Sequence, residues 1–182
     1  EKWKRENKDS EIILKESSNR GTLMHGYLSE MLMGKMNGEL IEEVNLPKKM
    51  AETIISHGLN DYVKEVYASE ECVYSLKYKY AGTMDALIST QDNKLQICDF
   101  KQKNSPAKRE YSSIRNYFTQ CILYAIAHNE IHGTKIQSSV ILMCTPNLIF
   151  QKFEIEGQEF MDLQKEALKR VEHYHQLISK SI

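Results

Sequence analysis

Two runs of β-type sequence joined by one short turn constrain this chain more than any other feature. Cys72 to Ser89 is rich in Val, Tyr, Thr and Ile, and Leu95 to Lys101 is a second such run. Between them lie the turn residues Thr90-Gln91-Asp92-Asn93. In a hairpin from Tyr80 to Lys101 centred on Asp92, paired positions sum to 184. Asp85 then faces Asp99, Leu87 faces Ile97, and Thr83 faces Lys101. Opposed residues have Cβ atoms roughly 5 Å apart, and residues two apart share a face, so Asp85, Asp99 and Lys101 cluster. Opposed carboxylates destabilise a sheet, and a divalent cation between them reverses that penalty. A nearby ammonium suits phosphodiester hydrolysis, because it stabilises an anionic transition state or positions the attacking water. All of this depends on register, since a slip of one residue separates the faces. The pair alone fits a surface hairpin with scattered charges as well. The aliphatic setting of Asp99, Leu95-Gln96-Ile97-Cys98-Asp99-Phe100, favours the site, because a buried unpaired carboxylate is costly.

Helical spacing surrounds this β region. Met24, Tyr27, Leu28, Met31 and Leu32 predict a helix from near Gly21, with Ser17, Ser18 and Asn19 as candidate N-caps and Gly34 as its stop. Residues 1–16 are expected to be partly helical. A second helix is predicted from Lys48 to about Tyr67, weakened in its middle by Gly58. A long helix is expected over about Ser112 to Glu130, ended by His132-Gly133, then strands over Val140 to Cys144 and Leu148 to Ile155. The last helix should run from about Gln158 to Ser179. The order is helices, three strands, helix, two strands, helix. A long helix between strands suggests a right-handed crossover to a parallel partner. The predicted fold is therefore α/β, a central mixed sheet flanked by helices on both faces.

The remaining features exclude more than they assign. A length of 182 residues with three prolines suits one domain, residues 1–182, with no internal linker. The net charge of -1 does not mark a nucleic-acid binder, although a local basic patch can serve one. No apolar run is long enough to span a bilayer, and Glu1 to Asp9 carries no signal-peptide core. Cys72, Cys98, Cys121 and Cys144 are too scattered for a structural zinc or iron–sulfur site. They read as mostly buried free thiols, which favours a reducing, intracellular compartment.

Four short motifs occur in order. Gly21-Thr22-Leu23-Met24-His25 resembles a helical G-x-x-x-H motif, and Gly82-Thr83-Met84-Asp85 a G-x-x-D strand motif. Asp99-Phe100-Lys101 resembles D-x-K, and Gln120-Cys121-Ile122-Leu123-Tyr124 resembles Q-x-x-x-Y. Together, over residues 21–124, they resemble the RecB-type branch of the PD-(D/E)XK nuclease superfamily. Met84 stands where the superfamily name has proline. The Gly-Thr-x-x-His start resembles the mitochondrial genome maintenance exonucleases and related phage and bacterial exonucleases. The resemblance implies a restriction-endonuclease-like core over 21–124, completed by C-terminal strands and a helix over 136–180.

It also implies roles. Asp85 and Asp99 would be metal ligands, joined by His25 and by the backbone carbonyl of Phe100, with Mg²⁺ or Mn²⁺ as the ion. Lys101 would be the catalytic lysine. Gln120 and Tyr124 would contact substrate or Lys101, and their i, i+4 spacing places them on one helix face. Lys103, Lys108, Arg109 and Arg115 form the most basic stretch, placed for phosphate contact. Glu30 is left outside this set, and His128, His132, His173 and His175 read as surface or packing residues. The implied activity is a DNA exonuclease acting on single strands or free ends. It would work in a bacterial or phage-infected cytoplasm, or in a mitochondrial matrix after removal of a transit peptide. An endonuclease of the same fold, an iron–sulfur CRISPR-associated nuclease and a non-catalytic DNA-binding module are the alternatives. Intact Asp85, Asp99 and Lys101 speak against the last, and the missing cysteine cluster against the iron–sulfur form. The oligomeric state is open.

Overall fold

A computed structural model describes residues 10–34 and 45–180. The elements are α1 (Ser10–Leu32), α2 (Leu46–Ile54) with a π-helical turn (Ile55–Leu59), β1 (Val63–Ser75), β2 (Tyr80–Thr90), β3 (Leu95–Gln102), α3 (Ser112–His132), β4 (Ser138–Cys144), β5 (Phe150–Glu156) and α4 (Gly157–Ser179). The five strands form one sheet in the order β1-β2-β3-β4-β5. Only β3 and β4 run parallel, joined by the α3 crossover; the other neighbours are antiparallel. The fold is the mixed α/β sheet that the pattern predicted, with helices on both faces.

Each face has its own apolar layer. Met24 and Leu28 of α1 and Met50, Ala51 and Ile54 of α2 pack on Ala86, Ile88, Cys98, Phe100 and Leu142. On the other face, Phe118, Cys121 and Ile122 of α3 and Phe160, Leu163 and Ala167 of α4 pack on Met84, Leu87, Ile97 and Ile141. β4 is buried along its whole length, as expected of a central strand covered on both sides. Cys98, Cys121 and Cys144 are buried free thiols, and Cys72 is exposed. No helix among the described residues is long and apolar enough to cross a membrane.

Several boundaries differ from expectation. The first helix does not begin at Gly21 but runs from Ser10, so Ser17, Ser18 and Asn19 lie inside it rather than capping it. Residues 1–9 of the expected partial helix lie outside the described residues. The second helix does not reach Tyr67. It passes into the π turn, and Val63 already opens β1. Leu59, Tyr62, Val63 and Val66 satisfy helical spacing, but Val and Tyr also suit a pleated surface, and pairing with β2 decides the outcome. Gly58 is not a weak point in a helix. A Cβ there would lie 2.9 Å from Phe150 Cζ and 3.0 Å from Leu142 Cδ1, so glycine lets the turn seat on β4 and β5. The stretch Cys72 to Ser89 holds the end of β1 and nearly all of β2, with a tight turn at residues 76–79.

Candidate active site

The β2–β3 ladder has the expected register: Ala86↔Cys98, Leu87↔Ile97, Ile88↔Gln96 and Ser89↔Leu95. It stops one pair short of Asp85 and Asp99, and the anticipated Thr83–Lys101 pair does not form. The strands part there because Asp85 takes over a ladder bond. Its Oδ2 accepts from the Phe100 backbone N–H at 2.7 Å. The N–H and C=O of one strand residue point to the same edge, so the Phe100 carbonyl is turned toward this gap as well.

The side-chain alternation slips at the same place. Met84 and Leu87 face α3, whereas Ala86 and Ile88 face α1 and α2. A regular strand would not put Met84 and Ala86 on opposite faces. On β1 the matching irregularity is Glu70, whose φ of 53° lies in the left-handed region. Glu70 falls opposite Asp85 between the pairs Ser69↔Ala86 and Glu71↔Met84. Groups from both faces of the sheet therefore meet around Asp85.

From the α1 side comes His25, with Nδ1 3.5 Å from Asp85 Oδ1 and 3.7 Å from Glu70 Oε1. One ligand atom each from His25, Glu70 and Asp85 lies within 4.8 Å of the others. From the α3 side come Asp99 and Lys101. Lys101 Nζ donates to Asp99 Oδ1 at 2.6 Å and lies 5.1 Å from the centroid of the Tyr117 ring. The Asp99 side chain is 1% exposed, and its Oδ2 has no hydrogen-bond partner. A buried carboxylate oxygen left open is costly, and its natural complement is a cation. The imidazole of His25 and the carboxylates of Glu70 and Asp85 form a donor set that fits a divalent metal ion, and the expected ligand Asp99 lies outside that three-residue cluster.

The electrostatics separate the two aspartates. Burial pushes the Asp99 carboxyl up to about 7, against the pull of Lys101 and with the help of the Asp85 charge. Burial acts on Asp85 as well, but His25, Lys101 and the Phe100 N–H outweigh it and hold Asp85 below the usual carboxylate range. Burial disfavours the charged forms of His25 and Lys101, yet the neighbouring carboxylates raise both. Glu70 is raised by burial and by the Asp85 charge. Ionised acids crowd one another here, and perturbed titration of this kind marks functional sites.

Gln120 and Tyr124 share a face of α3, and Gln120 Nε2 donates to the Tyr124 hydroxyl at 2.7 Å. Tyr124 rests on Gly82, where a Cβ would come within 2.6 Å of Tyr124 Cε1. This contact explains the glycine three residues before Asp85. Arg20, beside Gly21, donates to Gln102 Oε1 at 3.2 Å and to Asn104, tying α1 to the end of β3.

The basic stretch is less available than its sequence suggests. Arg109 is bound to Glu159 at 2.7 Å, and Arg115 to Glu166, both acids of α4. Lys103 donates to Ser113 at 3.0 Å, and Lys108 is exposed. Glu70 escapes the sequence reading altogether. It would have emerged had β1 been extended back to Val63, because it then falls opposite Asp85. Glu30 lines a cavity of about 660 Å³ with His25 and Glu70, outside the three-residue cluster.

No family model matches the chain, and no curated protein matches it. Among solved structures, a candidate exonuclease from Eubacterium rectale superposes with a TM-score of 0.58 at 19% identity. That match covers 88% of this chain, which spans 66% of the other protein. A phage-related exonuclease from Haemophilus somnus covers 87% of this chain and 83% of its own, with a TM-score of 0.45 and 16% identity. At such identities the likeness concerns fold, and the Eubacterium rectale protein shares it; function has to be argued from the site.

Proposed function

We propose that this chain is a divalent-metal-dependent deoxyribonuclease, an exonuclease acting on single-stranded DNA or DNA ends. The observation that carries the reading is the convergence of His25, Glu70 and Asp85 beside the open Oδ2 of Asp99 and the ammonium of Lys101. We read residues 1–182 as one nuclease domain of the RecB-type branch, on the four ordered motifs. The buried thiols suit a reducing compartment.

His25, Glu70, Asp85 and Asp99, with the Phe100 carbonyl, would hold Mg²⁺ or Mn²⁺. Such an ion supplies Lewis-acid charge and a more acidic bound water. The imidazole nitrogen among oxygen donors suits Mn²⁺ better than Mg²⁺. Asp99 aims the Lys101 ammonium, and the Tyr117 ring limits its swing. So placed, Lys101 offsets negative charge gathering on a phosphate. The Gln120–Tyr124 pair offers an amide and a hydroxyl along the α3 wall for positioning the strand. The direct test is incubation with end-labelled single-stranded, duplex and closed circular DNA, with Mg²⁺, Mn²⁺ or EDTA. Metal-dependent release of nucleotides from ends is expected. No cleavage of any substrate in either metal refutes the reading, and cleavage of the circle replaces it with an endonuclease.

A further inference from the structure

A second charged feature lies on the α3–α4 side of the sheet, beyond the metal-binding groups. The β1–β2 turn and α4 enclose a groove of about 540 Å³, lined by Lys77, Lys79, Lys165 and Lys169 with Tyr78 and Val171. Glu172 is its single acidic lining residue. Among the described residues, Lys77, Lys79 and Lys169 form no ion pair, and Lys165 shares only the exposed Asp162 at 3.1 Å. Arg109 and Arg115, by contrast, are neutralised by acids of α4. Three of the groove's four lysines thus lack a direct ion pair among the described residues, with Glu130 near Lys77 as the neighbouring acid of the turn.

The groove continues toward Gln120 and Tyr124 of α3. Val171 also lines an adjoining cavity of about 420 Å³, whose walls include Arg170, Asn116, Tyr80, Gln120 and Tyr124. Tyr124 in turn packs on Gly82, three residues from Asp85. The turn that carries the lysines is held in place. Glu130 of α3 accepts from the N–H groups of Leu76 and Lys77 at 3.1 Å, and His175 Nε2 donates to the Tyr78 carbonyl at 2.9 Å. Positioned cations track a phosphate backbone, and aromatic or apolar walls accept unpaired bases.

We propose that this groove carries the single-stranded flank of the DNA substrate, with its phosphates on Lys77, Lys79, Lys165 and Lys169. The strand runs from the metal-binding groups past Gln120 and Tyr124 and Arg170 into the groove. This rests on the nuclease reading and adds a path to it.

The test is fluorescence anisotropy of labelled oligothymidylates of about 4 and about 16 nucleotides. Binding is titrated against KCl in Ca²⁺ for the whole chain, for Lys77→Ala/Lys79→Ala, and for Lys165→Ala/Lys169→Ala. All four lysines are exposed, so the variants should fold, which far-ultraviolet circular dichroism checks. Each lost contact makes the slope of log affinity against log salt shallower by about 0.7, so each pair should remove about 1.4 for the long strand. The short strand, held at the metal-binding groups, should be unaffected. Lys49→Ala, on the opposite sheet face, should leave both slopes unchanged. Wild-type slopes in both double variants overturn the proposal, as does a duplex that shows the same losses. If cleavage is seen but the slopes do not move, the groove fails and the nuclease reading survives. If the slopes move but nothing is cleaved, the strand path stands and the nuclease reading fails.

Discussion

Gly82→Ala is the substitution that tests how two of the sequence motifs depend on each other. A Cβ at this position would lie 2.6 Å from Tyr124 Cε1, 3.2 Å from its hydroxyl oxygen and 3.3 Å from Cζ. Real contacts of that kind do not reach 2.6 Å, so the ring or β2 must move. The ring has little freedom, because Tyr124 is buried and its hydroxyl is bonded by Gln120. Overpacking of this sort costs about 1–3 kcal/mol. Against it stands the reduced entropy of the unfolded chain, worth about 0.4–1 kcal/mol where the backbone suits alanine. Gly82 has no left-handed φ, so that gain applies. The difference is a net loss of up to about 2.6 kcal/mol, and a loss is expected because the 2.6 Å approach is far inside contact distance. Urea unfolding in EDTA should show a lower midpoint with an unchanged slope. In a Tyr124→Leu background the obstacle is gone, and Gly82→Ala should turn neutral or stabilising. In Tyr124→Phe, which keeps the ring edge, it should stay destabilising. A midpoint that rises in the otherwise native chain, or the same shift in all three backgrounds, refutes the reasoning.

Three further outcomes concern the candidate metal-binding groups. Mn²⁺ should raise the thermal midpoint of the native chain, and about 2.7 kcal/mol of stabilisation is expected at a hundredfold excess over the dissociation constant; Glu70→Gln and Asp85→Asn should shrink the rise, and a full rise in both would place the ion elsewhere. Lys101→Met should slow cleavage by on the order of 10²–10³ while binding in Ca²⁺ stays within a few-fold, and turnover at the native rate would remove Lys101 from the mechanism. Burial raises Asp99 from about 3.8 to about 7, so the folded state holds its proton more tightly than the unfolded chain does. Its contribution is complete below about 3.8 and is lost as pH rises through about 7, so urea midpoints in EDTA should fall across that window, and Asp99→Asn should flatten the fall, although raised His25 acts in the same direction.

Much of the fold could be read in the sequence because the chain is locally consistent. The hairpin register follows from a turn centred on Asp92, and Leu87, Ile88, Ile97 and Cys98 each have a buried face to reach. Gly133 ends α3 in the left-handed conformation, as a glycine after the last helical turn should. The long helix between the third and fourth strands implies the parallel β3–β4 crossover that the sheet contains. The end of the second helix is not legible, because Leu59, Tyr62, Val63 and Val66 satisfy both periods and only the presence of β2 decides between them.

Glu70 was invisible for a different reason, one that ties the misreading to the chemistry. Pattern reading assumes that side chains alternate without interruption along a strand. At Glu70 and Asp85 they do not: one backbone turns left-handed, both strands change which residues face α3, and the ladder to β3 opens. A regular sheet would keep His25 on one face and Lys101 on the other, separated by a closed row of backbone hydrogen bonds. The interruption lets the Asp85 carboxylate cap the Phe100 N–H and gathers Asp85 with His25 and Glu70. The irregularity that defeats the periodic reading is thus the same one that opens a gap lined by His25, Glu70 and Asp85 in an otherwise closed sheet.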